Sequence, residues 1–139
     1  MKRLALLSVV ALMLASAVFA PVALAQELGE IAVQSVTLGP GGSLTATGTI
    51  QCNADDYYEA IVDVRQKSNG NVYNKITLGA GGQCNGAGPT EFTASGFSDK
   101  PFHKGKATLQ AHGILQNPDP NNPFTEADWY GGIESIHIR

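Results

Sequence analysis

Apolar and polar residues alternating with a period of two, turn-forming residues at short intervals and a single pair of cysteines together predict the fold class. It is all-β: an immunoglobulin-like antiparallel β-sandwich of about seven strands with one disulfide. The alternation is clearest in SLTATGTIQC, where Leu44, Ala46, Gly48, Ile50 and Cys52 interleave with Thr45, Thr47, Thr49 and Gln51. Successive side chains of a strand point to opposite faces, so this segment reads as a half-buried strand with a threonine outer surface. In YYEAIVDVRQK the inner set is Tyr58, Ala60, Val62 and Val64, with Glu59, Asp63 and Arg65 outward. KATLQAHGILQ places Ala107, Leu109 and Ala111 inward against Thr108, Gln110 and His112. Past residue 25, no window of helical length carries an apolar stripe at helical spacing.

The strands are expected at about 30–38, 43–53, 57–67, 71–78, 89–96, 104–116 and 129–139. GPGG (39–42) and SNGN (68–71) supply turns, and GAGGQCNGAGP (79–89) reads as a loop. Strands running alternately up and down gather the loops 54–56, 79–88 and 117–128 at one end. A closed barrel with the same strand count is the competing architecture.

The first 25 residues stand apart. Lys2 and Arg3 precede an apolar run from Leu4 to Phe19, and Ala23 and Ala25 are small residues before Gln26. This is the layout of a secretory signal peptide cut after Ala25, against the alternative of an uncleaved anchor. Residues 26–139 then form a single domain, exported to the extracellular space or a periplasm, with no membrane span after signal removal. Loss of Lys2 and Arg3 leaves seven basic residues against twelve acidic ones, a formal charge of −5. That balance argues against nucleic acid or anionic lipid as a partner. Lys100, His103, Lys104 and Lys106 make one short basic cluster, read as a solvated strand edge.

Cys52 and Cys84 sit in an exported chain, and an oxidising compartment favours their pairing. Cys52 closes the second strand and Cys84 lies in the loop after the fourth, so strand parity brings both to the same end. The bridge of an antibody domain instead joins the second and sixth strands, and here the sixth carries no cysteine.

No nucleophile elbow, zinc-protease helix, phosphate loop or dinucleotide fingerprint occurs, so the chain reads as a non-enzyme without catalytic residues or cofactor. Asp55 and Asp56 are neighbours that point apart, a poor acid–base pair, although either could meet Asp119, Glu126 or Asp128. His112 and His137 lie on strands expected to pair. A symmetric hairpin would set residue 112 opposite 133 and 108 opposite 137, too far apart to share an ion, so no metal site is assigned. Oxygens gather at the loop end in Asn53, Asp55, Asp56, Asp119, Asn121, Glu126 and Asp128. Calcium is weighed there and set aside, because DPNNPFTE lacks the required glycine. The candidate binding residues are Tyr57, Tyr58, Phe124, Trp129 and Tyr130, with Asp55, Asp56 and Asp128, because aromatic side chains are favoured recognition anchors. The bland alternative is that Tyr58 and Trp129 plug the ends of the sandwich.

GTIQC (48–52), VDVRQ (62–66), CNG (84–86) and FHKGKATLQA (102–111), in this order, resemble a family of small secreted bacterial immunoglobulin-like domains, mostly actinobacterial, of unknown function. The resemblance covers about 65 residues and implies a secreted sandwich with a Cys52–Cys84 bridge. It implies no catalytic residues, and it does not extend to NPDPNNPFTEADWYGG. The expected function is a monomeric recognition module whose 53–58 and 117–130 loops meet an extracellular protein or glycan. One alternative is a carrier of a small apolar ligand between the sheets, lined by Tyr58, Phe92 and Trp129. In size, acidity and small-residue content the chain is similar to the actinobacterial chromoprotein antibiotics, though it lacks their second disulfide. The other alternative is a hydrolase using loop carboxylates.

Overall fold

Alternation in the sequence becomes alternation in burial. The computed structural model describes residues 26–67, 73–119, 121 and 124–139, so the expected signal peptide and the expected turn at SNGN lie outside the described residues. Eight strands are present among them: β1 (Ile31–Leu38), β2 (Leu44–Cys52), β3 (Tyr57–Lys67), β4 (Tyr73–Gln83), β5 (Gly88–Gly96), β6 (Gly105–Gln116), β7 (Thr125–Tyr130) and β8 (Glu134–Ile138). In β2 every second residue from Leu44 to Cys52 is buried, as are Ala60, Val62 and Val64 of β3 and Ala107, Leu109 and Ala111 of β6. These side chains meet in one core between two sheets.

One sheet has the order β1-β2-β5. The other has the order β4-β3-β6-β7, and β8 pairs with the remaining length of the same β6 edge. All the ladders are antiparallel. The molecule is an immunoglobulin-like sandwich and not a closed barrel. On one side the sheets are sewn together: Leu38 N–H donates to the Arg139 carbonyl at 2.9 Å and Arg139 N–H to the Val36 carbonyl at 3.1 Å, the pattern of strands running parallel. A register irregularity between Val33 and Ser35 interrupts the β1–β2 ladder just before the residues of that seam.

Three expectations are corrected. The expected loop 79–89 is mostly strand, because β4 continues to Gln83 and β5 begins at Gly88, leaving only 84–87 as connection. The expected final strand 129–139 begins earlier and is broken. β7 starts at Thr125, which shortens the expected 117–128 loop to 117–124, and pairing lapses between Gly131 and Ile133. The register moves with it: His112 faces Tyr130, and His137 faces Lys106. Across the break the register slips by one residue, so the inward set changes from Ala127 and Trp129 to Ile136 and Ile138.

Glycine placement explains why β4 persists as strand. Tyr58 pairs with Gly82, Phe92 with Gly48 and Trp129 with Gly113. In each pair a large ring stands opposite a residue with no side chain. A Cβ on Gly48 would lie 3.0 Å from the Phe92 ring, and one on Gly82 would lie 3.3 Å from the Tyr58 ring. In the first two pairs the ring covers backbone that glycine would otherwise leave bare, whereas the space over Gly113 is taken by Gly29 and Ile31.

Candidate functional site

The connections 53–56, 84–87 and 117–124 converge at one end, as strand parity requires. Cys52 and Cys84 are bonded there, with Cα atoms 6.0 Å apart. In the β2–β3 turn Asp55 adopts φ 67, a left-handed conformation that aspartate tolerates better than most residues. That twist leaves Asp55 exposed and carries Asp56 inward to 2% exposure. The Asp56 carbonyl accepts from Cys84 N–H at 2.8 Å, so the turn is tied to the bridge. Three hydrogen bonds join described residues of the 117–124 connection. Asp119 N–H donates to Asn117 Oδ1, Asn121 N–H to Asp119 Oδ1, and Asn117 N–H to the Phe124 carbonyl. Asp119 therefore acts as a turn former.

Asp56 meets Glu126 of β7. The two carboxyl groups share a side-chain hydrogen bond, which needs a proton between them, and Asn53 Nδ2 donates to Glu126 Oε2 at 3.0 Å. Burial, then the hydrogen bond and negative charge of Glu126, push the Asp56 carboxyl up to about 6. Asn53 opposes the shift and the charge of Asp55 adds to it. Glu126 is exposed and held below its ordinary range by hydrogen bonds from Asp56 and Asn53. Asp56 Oδ2 is buried without a hydrogen-bond partner, as befits a group held neutral.

The sign of the linkage follows. As pH rises toward 6 the folded protein keeps a proton that the unfolded chain has already released near 3.8, so stability falls. Glu126 acts oppositely, contributing stability above its ordinary pKa and losing it below. Acidification from about pH 7.5 to pH 5 is therefore expected to raise Tm, by about 5 °C. Asp56→Asn, neutral at every pH and still able to donate to Glu126, should melt higher than wild type at pH 7.5 and flatten the dependence. A variant that melts lower at pH 7.5, or one that keeps the wild-type slope, would contradict this assignment.

The aromatic candidates divide. Tyr58 and Trp129 pack against the core, and a Cβ on Gly131 would collide with the Trp129 ring. Tyr57, Phe124 and Tyr130 are 49%, 67% and 66% exposed. Tyr130 is stacked on His112, with ring centroids 3.9 Å apart and planes inclined by 15°, and His112 Nε2 contacts Asp128 Oδ1. Tyr57 and Tyr130 stand on strands beside the loops, as expected, and Asp128, expected within the 117–128 loop, stands on β7; all three lie on the outer face of the β3–β6–β7 sheet. Between them, in cross-strand register, lie Glu59 beside Ile114 and Ile61 beside His112. The neighbouring Gly79 and Gly81 of β4 add no side chain, so the face is flat.

No family model, no curated protein and no solved structure matches this chain.

Phe92 belongs to the β1–β2–β5 sheet and packs on Gly48, while Tyr58 lies over Gly82 and the Trp129 ring lies against Gly131. Among the described residues no group of three or more His, Cys, Asp or Glu side chains is arranged to hold a metal ion, and no helix is long and apolar enough to cross a membrane.

Proposed function

We propose that the protein is a non-catalytic recognition module, secreted to the extracellular space or cell envelope, that binds a protein or glycan. The reading rests on one observation: Tyr57, Phe124 and Tyr130 are exposed toward the same end of the molecule, where a small domain has reason to bury every large apolar side chain. Tyr130 is already held in place by His112, so little side-chain freedom is lost on binding. Asp56 is buried and only Glu126 of the two is open to solvent, so the pair does not present two carboxyls to a substrate, which favours binding over hydrolysis. The N-terminal apolar run and the disulfide support export, and the resemblance to small secreted bacterial immunoglobulin-like domains points the same way.

A Tyr57→Ala/Tyr130→Ala variant is expected to melt within a few degrees of wild type. Its binding to cells of the source organism should weaken at least tenfold, the scale of losing aromatic anchors. Undiminished binding by a folded variant would remove this face from the function.

A further inference from the structure

The pole opposite the loop end is basic. All seven lysines and arginines beyond residue 25 lie toward it, whereas Asp55, Asp56, Glu59, Asp119, Glu126 and Asp128 lie toward the other. Its architecture begins with two polar residues in inward positions. Gln66 accepts from His103 N–H at 2.8 Å and donates to the His103 carbonyl at 2.7 Å, and Asn74 Nδ2 donates to the Pro101 carbonyl at 2.7 Å. These bonds clamp the β5–β6 connection, with Phe102 buried beneath it, and set where β6 begins.

Cross-strand register then assembles the basic side chains. Arg65 of β3, Thr108 of β6 and Ser135 of β8 form one row across the outer face, and Lys106 pairs with His137 in the next row, beside Lys67. These six residues, together with Ala107 and Ile136, line a groove of about 600 Å³. None of their side chains has a hydrogen-bond or ion-pair partner among the described residues, and no acidic side chain lines the groove.

We infer that this groove binds a segment of an acidic polysaccharide, with Arg65, Lys67, Lys106 and His137 facing its carboxylate or sulfate groups and Thr108 and Ser135 facing its hydroxyls. Unpaired like charges held together on a net-negative molecule call for an anionic partner. The charges spread across two inter-strand gaps, roughly 10 Å, which is too broad for one small anion and suits a chain carrying repeated charges. The groove is concave, so a planar bilayer does not enter it. Among the described residues no aromatic ring lines it for stacking a nucleic-acid base, and its apolar side chains are Ala107 and Ile136 alone.

The test is titration of the folded protein at low ionic strength with polygalacturonate, dextran sulfate, neutral dextran, polyglutamate and anionic phosphatidylglycerol vesicles. Both acidic polysaccharides should bind, with affinity falling as salt is added, and neutral dextran should not. Lys67→Glu/Lys106→Glu should weaken binding about tenfold or more, and Lys100→Glu, at the same pole but outside the groove, should leave it within about twofold. Should the double reversal fail to fold, Arg65→Gln/Lys67→Gln serves the same purpose with a smaller expected loss. Failure of both acidic polysaccharides to bind overturns the proposal, as does equal loss in Lys100→Glu. Polyglutamate or vesicles binding as tightly as the polysaccharides would overturn it in favour of an acidic peptide or a lipid surface. Wild-type self-association that salt dissolves would overturn it in favour of a second copy presenting its acidic pole. None of these outcomes depends on Tyr57 or Tyr130.

Discussion

Gly113→Ala is expected to lower stability by about 3 kcal/mol or more, among the largest effects a single methyl group can have. Gly113 is buried in the middle of β6, between Ala60 of β3 and Trp129 of β7. A Cβ there would run into the carbonyl oxygen of Gly29, and would lie 3.0 Å from its carbonyl carbon and 3.1 Å from Ile31 Cγ1. The obstacle is backbone, so no rotamer change relieves it. Nor can the 26–30 turn lift away freely, because Gly29 N–H donates to the Gln51 carbonyl and Gln51 N–H to the Glu30 carbonyl. At roughly 4–8 °C per kcal/mol for a domain of this size, Tm should fall by well over 10 °C. Gly79→Ala is the matched control: nothing lies within 4 Å of its Cβ position, and its stability should be unchanged or slightly raised. Thermal melts of the two variants side by side decide the matter, and a Gly113→Ala protein melting within a few degrees of wild type would refute the packing described.

Loss of the disulfide should cost about as much. The bridge spans 32 residues of sequence, and closing a loop of that length stabilises by roughly 3–4 kcal/mol in the chain-entropy account. Its place in the fold makes the loss local as well as global. On one side the sheets are joined by the β1–β8 hydrogen bonds. On the other, β4 and β5 are the outer strands of different sheets and share no ladder, so the short 84–87 connection and the Cys52–Cys84 bond are what tie the sheets together there. Cys52→Ala/Cys84→Ala should shift the urea midpoint by the stated energy, and amide exchange should quicken first in β4, β5 and the Asp56 turn. Uniform acceleration across both sheets, or a loss under about 1 kcal/mol, would show that the end of the sandwich holds without its staple.

Much of this fold is legible in the sequence, because burial follows the period of two where strands are long. The inner faces of β2, β3 and β6, and the meeting of the two cysteines, need only alternation and strand parity. The extension of β4 is hidden because Gly79, Gly81 and Gly82 carry the composition of a loop, and only the pairing of Tyr58 with Gly82 shows that a ring covers them. The break between β7 and β8 is hidden for a similar reason, since Gly131 and Gly132 sit inside an otherwise continuous pattern. At the site, the exposed Tyr57, Phe124 and Tyr130 were identifiable by residue type. Contact between Asp56 and Glu126 was not, because it depends on the register of β7, which a symmetric hairpin misplaces. Arg65, Lys106 and His137 each look like an ordinary outward residue of its own strand. Only the cross-strand ladders make them neighbours.

The β1–β8 seam also fixes how the domain meets mechanical load. The two strands run side by side in the same direction, with the start of β1 at the acidic pole and the end of β8 at the basic one. Tension drawn through the chain from pole to pole therefore loads their shared hydrogen bonds in shear, all at once, and does not peel them one by one. A partner gripping one pole while a polymer grips the other would pull along this resistant axis.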